Sequence, residues 1–205
     1  MSGRSVISSY VVIRNNQVIV KGETVFEKAG LAAPDFLLAV YDHFEVNYPK
    51  FFKMDNLCKT GFLAAELLLR NRGISEELKP EEIGIVFSNA NSSLDTDIRY
   101  EASITTAPSP SLFVYTLPNV LIGELCIRNK IKGETACFVF DIFDPAFQSN
   151  YVNLLLETGK VKTCLSGWAD YYGGKAEAFF YLVEKDGDFE APEHSIENLN
   201  RIWTT

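Results

Sequence analysis

Histidine is scarce in this sequence. Only His43 and His194 occur among 205 residues, and they lie far apart. The four cysteines, Cys58, Cys126, Cys137 and Cys164, include no Cys-x-x-Cys pair. That leaves no ligand set for zinc, so no metal and no cofactor is expected. Each cysteine sits among apolar residues and reads as a small buried hydrophobe, reduced in a cytoplasmic protein. Positive charge is also short: 19 Lys and Arg stand against 27 Asp and Glu, a net charge of −8. This excludes a nucleic-acid partner, which calls for a basic surface, and it opposes an anionic membrane. No apolar run is long enough to span a bilayer. The first 20 residues read as a strand pair rather than a leader. Runs rich in Pro, Gly and Ser are missing, which argues against disorder.

Large apolar side chains are plentiful. The sequence is 47% hydrophobic, with 15 Phe and 9 Tyr. A chain of this length is expected to form one domain, 1–205, able to bury roughly 70% of its unfolded surface.

Residues 5–14 and 17–21 alternate apolar and polar around Asn15-Asn16, predicting a hairpin. Helical spacing follows over 34–44, with Pro34 in its first turn. Asp55 is placed to cap a helix over 56–71, and Gly73 to close it. The run 83–88, IGIVFS, suits a strand buried on both faces. A polar loop and a short helical stretch through Tyr100 and Ile104 come next. A helix over 115–129, a buried strand over 136–142 and a helix over 145–158 ending at Gly159 are expected. Strands at 162–165 and 177–183 follow, then a terminal helix capped by Ser195. This order predicts an α/β fold with a mostly parallel, five-stranded sheet, helices on both faces and an N-terminal hairpin.

The stretch from Ser109 to Asp170 carries a specific layout. A Ser-Pro start is followed by Asn119-x-x-x-Gly123, then by Gly133 ten residues on, a buried strand, and a helix ending at Gly159. Upstream, FFKMDNLCKTGFLAAELLLRNRGI is an Ala-rich amphipathic helix behind a Lys-x-Asp opening. Downstream, GGKAEAFFYLVEK reads as a closing strand. Together these resemble the β-ketoacyl synthases, the condensing enzymes of fatty-acid and polyketide synthesis, and so imply a thiolase-like half-fold. In that family a nucleophilic Cys lies nine residues after the Gly matched by Gly133 and seventeen before the one matched by Gly159. Both counts land on Ile142. Isoleucine has no lone pair and no proton to lose, so no covalent acyl site is expected there. The family's second half, with its two histidines, has no counterpart in this sequence. The loop between Trp168 and Gly174 is short.

The resemblance implies a non-catalytic, chain-length-factor-type subunit of aryl-polyene or flexirubin-type pathways. Its partner would be a full-length β-ketoacyl synthase in a heterodimer, or a second copy in a homodimer. An acyl carrier protein would be met indirectly, and docking it directly would need a local basic patch. Leu112, Phe113, Tyr115, Asn119 and Phe143 are the candidates for an acyl tunnel or a subunit interface. A half-fold should leave apolar surface at the sheet edge and on the helix layer. Two other readings remain open. One is an acyltransferase or thioesterase using Cys137 or Cys164 as a displaced nucleophile; the other is a free-standing binding module for acyl carrier protein. Asp141, Asp144 and Asp170 read as a helix cap and turn residues rather than a Mg²⁺ site. His43 reads as a half-buried helix residue.

Overall fold

The computed structural model describes residues 4–74, 76–185 and 190–204. Seven strands form one sheet in the order β3-β2-β1-β7-β6-β4-β5. They are β1 (Ser5–Arg14), β2 (Gln17–Val20), β3 (Glu23–Glu27), β4 (Ile83–Asn89), β5 (Thr135–Val139), β6 (Thr163–Tyr172) and β7 (Lys175–Lys185). The α/β class stands, but the sheet is mixed rather than mostly parallel. Only β4 pairs parallel, with β5 and with β6; β1–β2, β2–β3, β1–β7 and β6–β7 are antiparallel. The reason is local. Strands β6 and β7 are joined by Gly173-Gly174, both at positive φ, and a two-residue turn of this kind forces a hairpin. The Asn15-Asn16 turn does the same for β1 and β2, with both residues left-handed.

The helices are α1 (Ala33–His43), α2 (Asn56–Asn71), α3 (Leu94–Ile104), α4 (Pro110–Val114), α5 (Val120–Asn129), α6 (Pro145–Glu157) and α7 (Ile196–Trp203). The helix expected over 115–129 starts late, at Val120, because Pro118 disfavours helical backbone at Leu117 before it; α4 ends ahead of that range and was not expected. Capping follows the sequence closely. The carboxylates of Asp55 and Asp144 and the hydroxyl of Ser195 accept the Cys58, Phe147 and Asn198 amides. Each such cap contributes about 1 kcal/mol.

Two apolar layers flank the sheet. On one face α1, α2 and α5 cover Val11, Ile13, Ile85, Phe87, Phe180 and Leu182. On the other, α6 and α7 cover Ile7, Val12, Val86, Trp168, Phe179 and Val183. Helix α7 supplies Leu199, Ile202 and Trp203 to that second layer. Helix α7 thus covers part of that sheet face beside α6. The sheet edge is different. Strand β5 pairs with β4 alone, and its residues are half-buried or exposed. It is an edge strand, not the buried strand anticipated from its composition.

Candidate functional site

The site is built outward from Gly133. Its amide donates to the Ile83 carbonyl at 3.1 Å. A Cβ here would collide with the carbonyl oxygens of Glu81 and Ile83, so only glycine lets β5 enter beside β4. The strand pairs from Thr135 to Val139, and Phe140 N–H adds a last rung to the Asn89 carbonyl at 2.9 Å. Because β4 ends at Asn89, β5 has no partner beyond this point. The strand expected to reach 142 stops at 139, and Ile142 lies in the bend before α6.

Helix α6 is fixed by two groups. Asp144 caps it at 2.9 Å from the Phe147 amide. The buried Gln148 amide nitrogen lies 2.9–3.1 Å from Ser166 Oγ, Val86 O and Gly167 O, anchoring the first turn to β4 and β6. Ile142 thus sits at the carboxyl end of the parallel strands, three residues before the first residue of a 13-residue helix. A thiol at such a place would be activated by the helix dipole. The isoleucine there is 74% exposed and lines a shallow hollow of about 340 Å³ with Phe140, Phe143 and Pro145.

The cysteines are not poised for nucleophilic work. Burial pushes the Cys137 thiol up to about 11 and the Cys164 thiol up to about 12, and it raises Cys58 and Cys126 as well. Neither histidine is hydrogen-bonded to a cysteine among the described residues. His194 Nδ1 is 2.8 Å from Asn153 Oδ1, and the His43 ring rests on Phe26 and Phe44. His43 is exposed at the end of α1, not half-buried. Asp170 is a strand residue rather than a turn residue; it accepts from the Asn91 amide and side chain at 3.0 and 2.6 Å. Among the described residues no group of three or more His, Cys, Asp or Glu side chains is placed to hold a metal. Among them, too, no helix is long and apolar enough to cross a membrane.

The tunnel and interface candidates separate into two sets. Tyr115 and Phe143 lie in the core, where Phe143 packs on Trp168, Phe179 and Trp203. Leu112 is half-buried, whereas Asn119 and Phe113 are exposed, and the Phe113 ring lies 5.4 Å from that of Tyr100. Of the fourteen large apolar side chains exposed among the described residues, nine lie between Leu94 and Ile142: seven on α3, α4, α5 and β5, and Leu117 and Ile142 in the connections. That concentration marks one region of the surface for contact with something outside the chain.

A groove of about 580 Å³ runs between α5 and β5 within this region, lined by Asn119, Ile122, Gly123, Cys126, Cys137 and Val139. Helix α5 is held rigidly beside it. Arg128 donates twice to the buried Glu66 of α2, at 2.8 and 3.0 Å, and Lys50 pairs with the buried Glu124 at 2.8 Å. Gly123 is the informative member. A Cβ there would meet nothing within 4 Å. Mid-helix glycine costs about 1 kcal/mol relative to alanine, and no contact within this chain calls for it. Sequence reading had found the Asn119-x-x-x-Gly123 spacing but not that its glycine faces open space.

No protein-family model and no curated protein sequence matches this chain. Solved structures do. It superposes on a chain of the ishigamide ketosynthase/chain length factor with a TM-score of 0.67 and 16% identity, covering 93% of this chain and 64% of that one. For a complex of a type II PKS acyl-carrier protein with its ketosynthase, the TM-score is 0.63 at 13% identity, with 90% and 63% covered. For the ketosynthase ApeO with its chain length factor ApeC from Xenorhabdus doucetiae, the values are 0.56, 13%, 89% and 79%. The fold is that of ketosynthase and chain-length-factor chains. The chain spans 63% and 64% of the first two of these relatives.

Proposed function

We propose that this chain is a non-catalytic subunit of the chain-length-factor type, which pairs with a full-length β-ketoacyl synthase through the open edge of β5. The pathway would be one of fatty-acid or polyketide type, with aryl-polyene synthesis the specific assignment. The observation that supports the reading is the conjunction at one sheet edge of the exposed Ile142 ahead of α6 and an unpaired strand flanked by exposed apolar groups.

Each part follows from ordinary chemistry. An edge strand with free N–H and C=O groups templates further pairing. On one side of β5 lies the α5 groove; on the other, the half-buried rings of Phe138, Phe140, Phe147 and Tyr151 form a cluster of five ring pairs 4.7–6.1 Å apart. A partner that continued the sheet would cover both sides. The joint surface would reach the size of obligate interfaces, on the order of 2,000 Å² or more. Phe113, Leu112 and Asn119 would meet the partner first, and Ile142 would add an apolar contact. The acyl carrier protein would dock chiefly on the synthase, because this subunit carries a net charge of −8. Without the synthase, the same edge could pair with a second copy.

The raised thiols weigh against an enzyme using Cys137 or Cys164. The test is co-expression with a full-length β-ketoacyl synthase, followed by size-exclusion chromatography. Co-elution as a one-to-one complex supports the proposal, and separate elution at micromolar concentration contradicts it.

A further inference from the structure

We infer that residues 97–114 form an arm that opens and recloses as one unit on the fixed body of the protein, and that contact with the partner synthase holds it closed. The closure rests on the function proposed above; the opening does not.

Burial marks the arm. None of the eighteen residues 97–114 is buried, and no other stretch of the described residues runs so far without a buried one. A helix packed along its length buries a face every three or four residues. Helix α3 buries Thr96 alone, in its first turn, and α4 buries nothing. Ile98, Ile104, Phe113 and Val114 are each at least half exposed. A helix of 11 residues is marginal in water unless packing supports it, so α3 beyond Thr96 has little to keep it formed.

Both ends of the arm are tied to the body. At one end the buried Thr96 hydroxyl donates to Asp55 Oδ2 at 2.6 Å. At the other, Tyr115 is buried in the layer that α1, α2 and α5 form over the sheet. The buried Ser93 hydroxyl donates to the Thr116 carbonyl at 2.7 Å and draws the two ends together. The hinges therefore lie beside Thr96 and Tyr115, and opening between them leaves the core intact.

The two helices also hold each other. The Tyr100 and Phe113 rings lie 5.4 Å apart, and Ser103 Oγ accepts from the Ser109 amide at 3.3 Å. Those contacts couple α3 to α4, so that loosening one loosens the other.

The base of the arm runs into the β5 region. Pro118 and Asn119, just past the hinge at Tyr115, line the α5 groove. A synthase seated on β5 comes within reach of the arm. Its contact with the four exposed apolar side chains supplies the burial that the chain itself does not provide, and a partner that touches only the closed arm shifts the equilibrium toward it.

The test is hydrogen–deuterium exchange of the full chain. Amides 98–104 and 113–114 should exchange at least roughly a hundredfold faster than amides 62–68, in the buried part of α2. Ala102 is exposed on α3, and Ala102→Gly should speed amides 98–104 roughly fivefold, with amides 113 and 114 following by the same factor. In a complex with a full-length β-ketoacyl synthase the arm should slow at least about tenfold. Arm amides as slow as those of α2 overturn the opening. A response to Ala102→Gly confined to α3 overturns the single unit. A complex in which the arm keeps its free rate overturns the closure. A chain that forms no complex contradicts the proposed function and the closure with it, while exchange in the free chain still decides the opening.

Discussion

Gly123 and Cys137 line opposite walls of one groove, the glycine on helix α5 and the thiol on edge strand β5. The helix carries a residue that weakens it, and the space so created stays empty within the chain. A packing defect that serves nothing inside the molecule is readily understood as a place where another backbone approaches.

Stability and pairing should therefore respond in opposite directions at position 123. Gly123→Ala is expected to raise the unfolding free energy of the isolated chain by about 0.5–1 kcal/mol. Gly123→Leu should leave the fold intact and fill the groove, weakening association with the synthase at least about tenfold. Urea unfolding and analytical ultracentrifugation measure the two effects. Loss of the fold in both variants would show that the groove belongs to the core.

Cys137 and Cys164 should resist alkylation. With Cys137 pushed up to about 11, roughly one thiol in three thousand is ionised at pH 7.5, and fewer at Cys164. Mass spectrometry after native iodoacetamide treatment should find both largely unlabelled, with full labelling in guanidinium. Rapid stoichiometric labelling of either would revive the displaced-nucleophile reading.

Asp55 ties α2 and α3 together. One carboxylate oxygen accepts the Cys58 amide at 2.8 Å and the other accepts the Thr96 hydroxyl at 2.6 Å, so it caps α2 and fastens α3 to it. Asp55→Ala removes both bonds and strands a buried hydroxyl. The expected loss is about 2–4 kcal/mol in a thermal or denaturant melt. Asp55→Asn should recover part of it.

His194 makes the fold acid-sensitive. Burial lowers its pKa to about 4 from the ordinary 6.5. The unfolded chain takes up the proton first, so this stability is whole above about pH 6.5 and is lost as the pH falls toward 4. The full gap corresponds to about 3 kcal/mol. The loss should loosen α7, because Asn153, its partner at 2.8 Å, stands on α6 beneath that helix. His194→Gln should flatten the slope of melting temperature against pH across that window. An unchanged slope would place the sensitivity elsewhere.

Three helix starts were legible in the sequence because capping is local. Asp55, Asp144 and Ser195 each announced a start that the structure places at the next residue. Strand direction and extent were less visible. Strand β6 runs to Tyr172, but Ser166, Gly167 and Asp170 give its second half no apolar alternation, and only pairing with β7 makes it a strand. Strand β3, largely exposed, has little hydrophobic signal of its own. Of the site, the spacing around Ile142 was readable from residue counts. The exposure of β5 was not, because ACFVFDI is as apolar as a central strand, and its place in the sheet depends on neighbours far away in sequence.

The account rests on β5 as a pairing edge. Its most direct test is hydrogen–deuterium exchange of the Cys137 and Val139 amides, which alternate with those bonded to β4, in the isolated chain and after co-purification with a full-length β-ketoacyl synthase. Amides that exchange quickly alone and are protected in the complex, with protection lost in Val139→Lys, are the predicted result. Amides exchanging at the same rate in both samples, or a chain that never co-purifies, would contradict it.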